Sequence, residues 1–279
     1  MKLLVVDGTN LLFQMFFGMP ARITGKDGRL IHGTLGFVGA LIKMLKLSGP
    51  THAVVLFDGE HDNPRAELSA EYKANRPVMT DVPEEENPFS QLPDIYDALD
   101  CMGISHCEID IHEADDAAAA YALTYSSETE IIIASMDSDF FQLIGKNVSV
   151  LRYRGDKTAM LDGALIQDKL GILPEQYADF KSLTGDNSDN IKGADKIGPK
   201  TAAALLRQFG NLETLIERAD EIEKPSIRES VKQNAERLRN NYRLIKLDDR
   251  ATLPYALDKL EYTYDGIKTG EVLGRIGLK

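Results

Sequence analysis

The chain has 279 residues, of which 43% are hydrophobic and 7% aromatic, enough for one large domain with a smaller helical region appended. Its formal charge of −12 excludes binding to nucleic acid through overall charge, so any phosphate site must be a local patch. The two cysteines, Cys101 and Cys107, have no partners at zinc-finger spacing, which argues against structural zinc and against a disulfide framework.

The N-terminus carries no signal for export or membrane insertion. The opening run MKLLVV turns polar at Asp7, too early for a secretory segment, and no apolar run approaches the roughly 20 residues that span a bilayer. We therefore expect a cytoplasmic protein that contacts no membrane.

Short β-rich runs alternate with helical patterns through the first half of the chain. In chain order these are KLLVVD, a helix over Leu35 to Leu47, HAVVLFD, a helix over Phe89 to Met102, a strand over Ile104 to Ile111, and EIIIAS. This alternation predicts an α/β fold with a mostly parallel central sheet and helices on both faces. Ligands of such sheets bind in the crevice at the carboxyl ends of the strands.

The segment between Asp58 and Phe89 is too polar and too long for a simple crossover, which is typical of a functional loop. Four of its residues recur at near-helical spacing and place an aromatic among bases: Arg65, Tyr72, Lys73 and Arg76. This pattern suits single-stranded DNA, with cations on phosphates and a base stacked on the tyrosine. The alternative is an exposed helix stabilised by i,i+4 side-chain pairs.

The β pattern fades after about residue 162, and helices separated by glycine turns are predicted from Gln167 through Leu247. The last thirty residues fit either a docked tail or a short helix. We therefore divide the chain into an α/β core at 1–162 and a helical region at 163–279.

Nine carboxylates fall in five short motifs, four of which follow predicted strands. They are Asp7, Asp58, Glu113, Asp115, Asp116, Asp137, Asp139, Asp186 and Asp189. A single aspartate after a strand is often only a helix N-cap, and Asp115 and Asp116 precede an alanine-rich helix. Convergence of so many anions on one crevice is costly unless cations bind there, so we predict a metal site.

Hard divalent ions such as Mg²⁺ prefer carboxylate oxygens, and two such ions can clamp both oxygens of a phosphoryl displacement. The five histidines show no paired spacing, and the chain has no phosphate-binding P-loop, serine elbow or partnered cysteine. The simplest nucleophile is therefore a metal-activated water. We expect two Mg²⁺ or Mn²⁺ ions and no organic cofactor.

The stretch GADKIGPKTAAALLRQFGNLETLI predicts a helix, a tight glycine turn and a second helix that opens at Pro199 or Lys200, the helix-hairpin-helix pattern. Gly198 and the N–H groups near Thr201 suit a phosphate, and lysines at 192, 196 and 200 add charge. We assign DNA binding to Lys192, Lys196, Gly198, Lys200 and Thr201.

Taken together, these motifs resemble the 5′ nuclease family, meaning the 5′→3′ exonuclease domain of bacterial DNA polymerase I and the flap endonucleases. The resemblance runs over nearly the whole chain, in family order, through VDGTNLL, FDGE, PRAELSAEYKANRP, EADDAAAA, SMDSDFFQL, LTGDNSDNIKG and IGPKTAAALL. Because no polymerase region follows Lys279, the chain looks like a stand-alone member.

The resemblance implies a PIN-like fold with a helical arch at about 60–90, a helix-hairpin-helix at about 186–210, two divalent ions and K⁺ at the hairpin. It implies a bacterial, nucleoid-associated monomer that cuts DNA at 5′ flaps, 5′ ends and single-strand/duplex junctions in replication or repair. One metal site would comprise Asp7, Asp58, Glu113 and Asp115, and the other Asp137, Asp139, Asp186 and Asp189, with Asp116 close to both.

The catalytic set implied by the resemblance is Asp7, Asp58, Lys73, Arg76, Asp115 and Asp137. Two departures remove positive charge: Gln14 replaces a common arginine, and Ser138 replaces a common lysine. They leave open a non-catalytic protein that binds DNA junctions. A third alternative, an RNA-directed PIN-like nuclease, fits the acids but neither the hairpin nor the arch segment.

Overall fold

The computed structural model describes residues 1–59, 65, 68–69, 71–75, 82–110, 112–248 and 250–279. Within these ranges the central sheet has the strand order β3-β2-β1-β4-β5-β6. Its strands are β1 (Lys2–Asp7), β2 (His52–Asp58), β3 (Ser105–Ile109), β4 (Glu130–Ala134), β5 (Val148–Arg152) and β6 (Ala159–Leu161). The pairings from β3 through β5 are parallel and only β6 is antiparallel, so the predicted mostly parallel sheet is confirmed.

Helices cover both faces of the sheet. The N-terminal ones are α1 (Gly8–Gly18), α2 (His32–Ser48), α3 (Leu92–Met102) and α4 (Ala114–Tyr125). Because side chains alternate along a strand, Leu3 and Val5 pack into one hydrophobic cluster while Leu4 and Val6 pack into the other. Continuous burial of β1 explains why its sequence is an unbroken apolar run.

The second half is mainly helical, as predicted. Its helices are α5 (Gly163–Leu170), α6 (Tyr177–Thr184), α7 (Pro199–Phe209), α8 (Leu212–Glu217), α9 (Pro225–Gln233), α10 (Ala235–Ile245) and α11 (Thr269–Arg275). The series of helices is interrupted at one point that the sequence did not predict, where β7 (Gly185–Asp186) and β8 (Ile191–Lys192) form a small antiparallel hairpin. The last residues form a short helix, α11, which contacts α2 and α3.

The predicted helices lie close to their observed positions. The helix predicted over Leu35 to Leu47 begins earlier, at His32, and the one predicted from Phe89 starts as a 3-10 turn (Pro88–Gln91). Of the arch predicted at about 60–90, residues 60–64, 66–67, 70 and 76–81 lie outside the described residues, and Arg76 is one of them.

Candidate active site

Asp7 ends β1, and both of its oxygens accept hydrogen bonds. Oδ1 accepts from the backbone N–H of Asn10 at 3.0 Å and so caps α1, while Oδ2 accepts from the hydroxyl of Ser135 at 2.7 Å. The interpretation of Asp7 as an N-cap is therefore correct. Because each carboxylate oxygen has a second lone pair, capping still leaves Asp7 able to bind a cation.

Asp58 ends the neighbouring strand β2. Its N–H donates to Thr9 Oγ1 at 2.9 Å, and its Oδ1 accepts from the N–H of Ala114 at 2.9 Å, where α4 begins. A Cβ on Gly8 would lie 2.6 Å from the ring of Phe57, so glycine after Asp7 allows α1 to start this close to β2.

Four carboxylates crowd one another at this edge of the sheet. Burial, then the charges of Asp58 and Asp137, raise the pKa of Asp7 to about 7. Burial also raises the pKa of Asp115, with further contributions from Asp7, Asp137 and Asp58. We call these four residues, Asp7, Asp58, Asp115 and Asp137, the first carboxylate group.

A second carboxylate group consists of Asp139, Asp186 and Asp189, whose ligand oxygens all lie within 4.8 Å of one another. Burial, then the charge of Asp137, raises the pKa of Asp139 to about 8. Among the residues that the structure describes, none donates a hydrogen bond to the buried Oδ1 of Asp139. Asp137 joins the two groups, since its Oδ1 accepts from the N–H of Asp139 at 2.8 Å.

The hairpin of β7 and β8 delivers Asp186 and Asp189 to the second group. Just after β8 the backbone passes very close to Thr184, because a Cβ on Gly193 would lie 2.4 Å from the carbonyl carbon of Thr184. Ser188 fixes Asp186 by donating to Oδ1 from its N–H at 2.9 Å and its hydroxyl at 2.5 Å. Asp186 and Asp189 are predicted site residues that spacing alone did not place beside the sheet.

Lys181 is a site residue that the sequence reasoning missed. Its ammonium on α6 pairs with Asp186. Burial opposes ionisation of Asp186, but hydrogen bonds from Lys181 and Ser188 outweigh it and hold its pKa below the ordinary value. The available signal was a lysine one helical turn before the TGD motif.

Glu113 and Asp116 are bound by basic residues of the polar segment. Arg65 donates to Asp116 Oδ1 at 2.6 Å and Oδ2 at 3.0 Å and also pairs with Glu113, as does Lys73. The N–H of Asp248 donates to Asp116 Oδ1 at 2.8 Å. Arg65 is thus buried on carboxylates and not on a surface open to DNA, contrary to expectation, and Asp116 serves as its anchor.

Tyr72 also departs from expectation. Its side chain is 7% exposed and packs against Ala178, Ile191, Leu244 and Ile245. The prediction that a base stacks on Tyr72 is therefore wrong for this conformation, because the apolar ring is used as an anchor between the polar segment and the helical region.

The glycine turn predicted in the helix-hairpin-helix stretch is present, but the helix predicted before it is not formed by residues Gly193 to Ile197. These residues form a turn in which Lys196 has a left-handed φ of 65°, and α7 begins at Pro199 with Gly198 at the N-cap. The side chains of Lys192, Lys196 and Lys200 are exposed, and Thr201 is half-buried.

Of the two departures from the family pattern, Gln14 has a local partner, because it donates to the carbonyl of Tyr153 at 2.7 Å. Ser138 lies at the N-cap of the 3-10 turn Asp139–Leu143. Lys181, on a different element from Ser138, supplies a cation to the second group.

Within the described part of the chain, every helix is too short or too polar to cross a bilayer. Family models match nearly all of the sequence. The 5′–3′ exonuclease N-terminal resolvase-like domain matches residues 2–171, and the 5′–3′ exonuclease C-terminal SAM fold matches residues 172–266.

Curated relatives include bacterial DNA polymerases. The thermostable DNA polymerase I of Thermus thermophilus is 34% identical over 92% of this chain and 30% of its own length. DNA polymerase I of Rhizobium leguminosarum is 35% identical over 92% of this chain and 26% of its own. The chain thus spans less than a third of the length of these relatives.

Two solved structures share the fold. The T5 D15 protein co-crystallised with metal ions superimposes with a TM-score of 0.73 at 24% identity, covering 99% of this chain and 100% of that one. The catalytic core of Rad2 in complex with DNA substrate gives a TM-score of 0.58 at 18% identity, covering 99% and 92%.

Proposed function

Because the chain belongs to the 5′–3′ exonuclease family, we propose that it is a structure-selective 5′ nuclease that hydrolyses DNA phosphodiesters with two divalent ions. The observation that carries the proposal is the pair of carboxylate groups joined at Asp137. The relatives that are DNA polymerases and the solved Rad2 complex with DNA support DNA as the substrate.

The second group fits a divalent ion. Three carboxylates within 4.8 Å, one with a buried oxygen that accepts no bond from the described residues, form a hard oxygen donor set. Mg²⁺ or Mn²⁺ would be held there by Asp139, Asp186 and Asp189, and in the first group by Asp7, Asp58 and Asp115, with Asp137 between. A solved structure of T5 5′-exonuclease has divalent zinc ions bound, which supports divalent-ion binding in this fold.

When bound, such ions act as Lewis acids and lower the pKa of water to generate a nucleophile. The chain's own residues prepare the site. Ser135 and Asn10 orient Asp7, Ala114 orients Asp58, and the Asp139 amide orients Asp137. We assign contact with the scissile phosphate to Lys73, which pairs with Glu113, and to Arg76, because cations there would stabilise developing negative charge.

A second contact with DNA, at a distance from the acids, would be made by the exposed lysines at 192, 196 and 200 and by the free N–H groups at the start of α7. These contacts address phosphates, so binding follows DNA shape and not sequence. We propose that K⁺ binds at this turn and that the DNA substrates carry 5′ flaps and junctions. The protein would act as a monomer associated with the bacterial nucleoid. The boundary between the two domains is put at 162/163.

A labelled 5′-flap digestion, with and without EDTA, tests the proposal. Asp137→Ala should reduce Mg²⁺-dependent cleavage on the order of a thousandfold or more while leaving junction binding largely intact. Asp162→Ala, which removes only the cap at the N–H of Leu165, should keep full activity. Retained turnover in Asp137→Ala would contradict the metal assignment.

Two further arms separate the alternative functions. Junction binding without cleavage by the wild type would favour a non-catalytic binding protein. Preferential cleavage of a matched RNA flap would favour an RNA-directed nuclease.

A further inference from the structure

The turn between β7 and β8, which carries Asp189 of the second carboxylate group, also holds the polar segment. The N–H of Lys73 donates to the carbonyl of Asp189 at 3.0 Å, and Asn190 Nδ2 donates to the carbonyl of Glu71 at 2.8 Å. Asn75 Nδ2 donates to the carbonyl of Asn187 at 3.1 Å. Residues 71–75 are therefore bonded at three points to the turn at 187–190.

Lys73 needs such support because its backbone has a left-handed φ of 55°. This region is unfavourable for a lysine, and a side chain is found there only when its surroundings hold it. The buried ring of Tyr72 fixes one side of Lys73, and the two bonds to Asp189 and Asn190 fix the backbone around it. The Lys73 ammonium is thereby directed to Glu113.

Asn190 is suited to this task. It too has a left-handed φ, 59°, which asparagine tolerates better than most residues. Asn190 directly follows Asp189 in the chain. Its side-chain amide donates from the turn to the backbone carbonyl of Glu71. Asn190 itself is exposed and, as a neutral amide, adds no charge beside the acids.

We propose that Asn190 is a positioning residue that acts through Lys73. Its amide clamps the backbone at Glu71, so that the Lys73 cation is held at the carboxylates only while the turn of the second group is formed. The turn thus couples the acids of one domain to the basic residue of the other. This inference rests on the proposed nuclease function, which gives Lys73 its role.

A double-mutant cycle tests the dependence on Lys73. Asn190→Gly removes the amide but keeps the left-handed backbone accessible. We expect it to lower kcat/KM on a 5′-flap substrate about tenfold, the effect of losing one hydrogen bond. In a Lys73→Ala background the same change should have almost no further effect.

Asn147→Ala is the matched control, because Asn147 also donates its side-chain amide to a backbone carbonyl, that of Ser126, at 2.7 Å. It should leave kcat/KM unchanged in either background. If Asn190→Gly lowers kcat/KM equally with and without Lys73, Asn190 acts directly on the metal ligands or on folding, and the proposal is wrong. Asn190→Ser, which shortens the side chain without adding charge beside Asp189, replaces the glycine variant in the cycle if that variant fails to fold.

Limited trypsin digestion of the metal-free protein gives a readout independent of activity. Release of the peptide ending at Lys73 should be about tenfold faster in Asn190→Gly than in wild type and unchanged in Asn147→Ala. Equal rates in wild type and Asn190→Gly would show that no clamp exists. Wild-type protein that shows the clamp but cuts no flap would overturn the nuclease function alone.

Discussion

Lys181 and Asp186 form an ion pair inside the second carboxylate group, with side chains only 14% and 9% exposed. The pair neutralises one of three crowded acids. An ion that binds this group must therefore share Asp186 with a cation that the protein already provides.

Replacing Lys181 by methionine should destabilise the metal-free protein, because it leaves the Asp186 charge buried without its partner. We expect a loss of about 3 kcal/mol in the free energy of unfolding, measured by urea denaturation in EDTA. Excess Mg²⁺ should restore much of this loss, since it supplies the missing positive charge.

Lys232→Met is the matched control, because Lys232 pairs with the exposed Asp220. An exposed pair contributes little, so its urea midpoint should barely move. Equal destabilisation by the two substitutions would mean that the Lys181 pair is no more than a surface contact.

The pKa of Asp139, raised to about 8 from an ordinary value of 3.8, makes stability depend on pH. Between these values the folded state binds a proton that the unfolded state has lost, so stability falls as pH rises. Asp139→Asn removes this ionisation. In EDTA the variant should melt several degrees above wild type at about pH 8.5, with the difference vanishing near pH 4.

Calorimetry across this pH range checks the prediction, with the exposed Asp156→Asn as control. Added Mg²⁺ should raise the melting temperature of wild type and not that of Asp139→Asn. A variant that melts below wild type at the alkaline end would contradict the electrostatic crowding of the second group.

Gly193→Ala should disrupt the hairpin of β7 and β8, since its methyl group would lie 2.4 Å from the Thr184 carbonyl carbon. We expect a loss of about 3 kcal/mol in stability together with loss of Mg²⁺ stabilisation. Gly198→Ala is a useful contrast, because its added Cβ would meet open space within 4 Å. It should fold normally and weaken only DNA binding.

Replacing Lys192, Lys196 and Lys200 by alanine should weaken junction binding without changing specificity for DNA sequence. Each lysine–phosphate interaction that is removed should make the plot of log K against log salt shallower by about 0.9. Anisotropy titrations at several salt concentrations measure this slope. An unchanged slope would place the DNA elsewhere on the protein.

The sheet was predictable from sequence because its buried strands are continuous apolar runs and their ends carry the acids. The hairpin of β7 and β8 was not, since two-residue strands have no periodicity to detect. Its presence depends on contact between Gly193 and Thr184, which no local propensity encodes.

The site was predictable where residue type alone restricts the chemistry, as for the aspartates. It was not predictable for Lys181, Arg65 and Tyr72, whose positions depend on the folded arrangement of several elements. A tyrosine among bases fits a stacking platform as well as an apolar anchor, and only the neighbours Ile191 and Leu244 distinguish the two.

Asp7 caps α1 by accepting a hydrogen bond from the backbone N–H of Asn10, and this affects how the activity of related chains can be judged from position 7. Asparagine caps a helix as well as aspartate does, and a chain that had lost its chemistry would still gain from either residue at this position. Position 7 is therefore a poor diagnostic of activity. The acid at position 139 is a better one, because its buried Oδ1 accepts no hydrogen bond from the described residues and folding alone gives no reason to keep it.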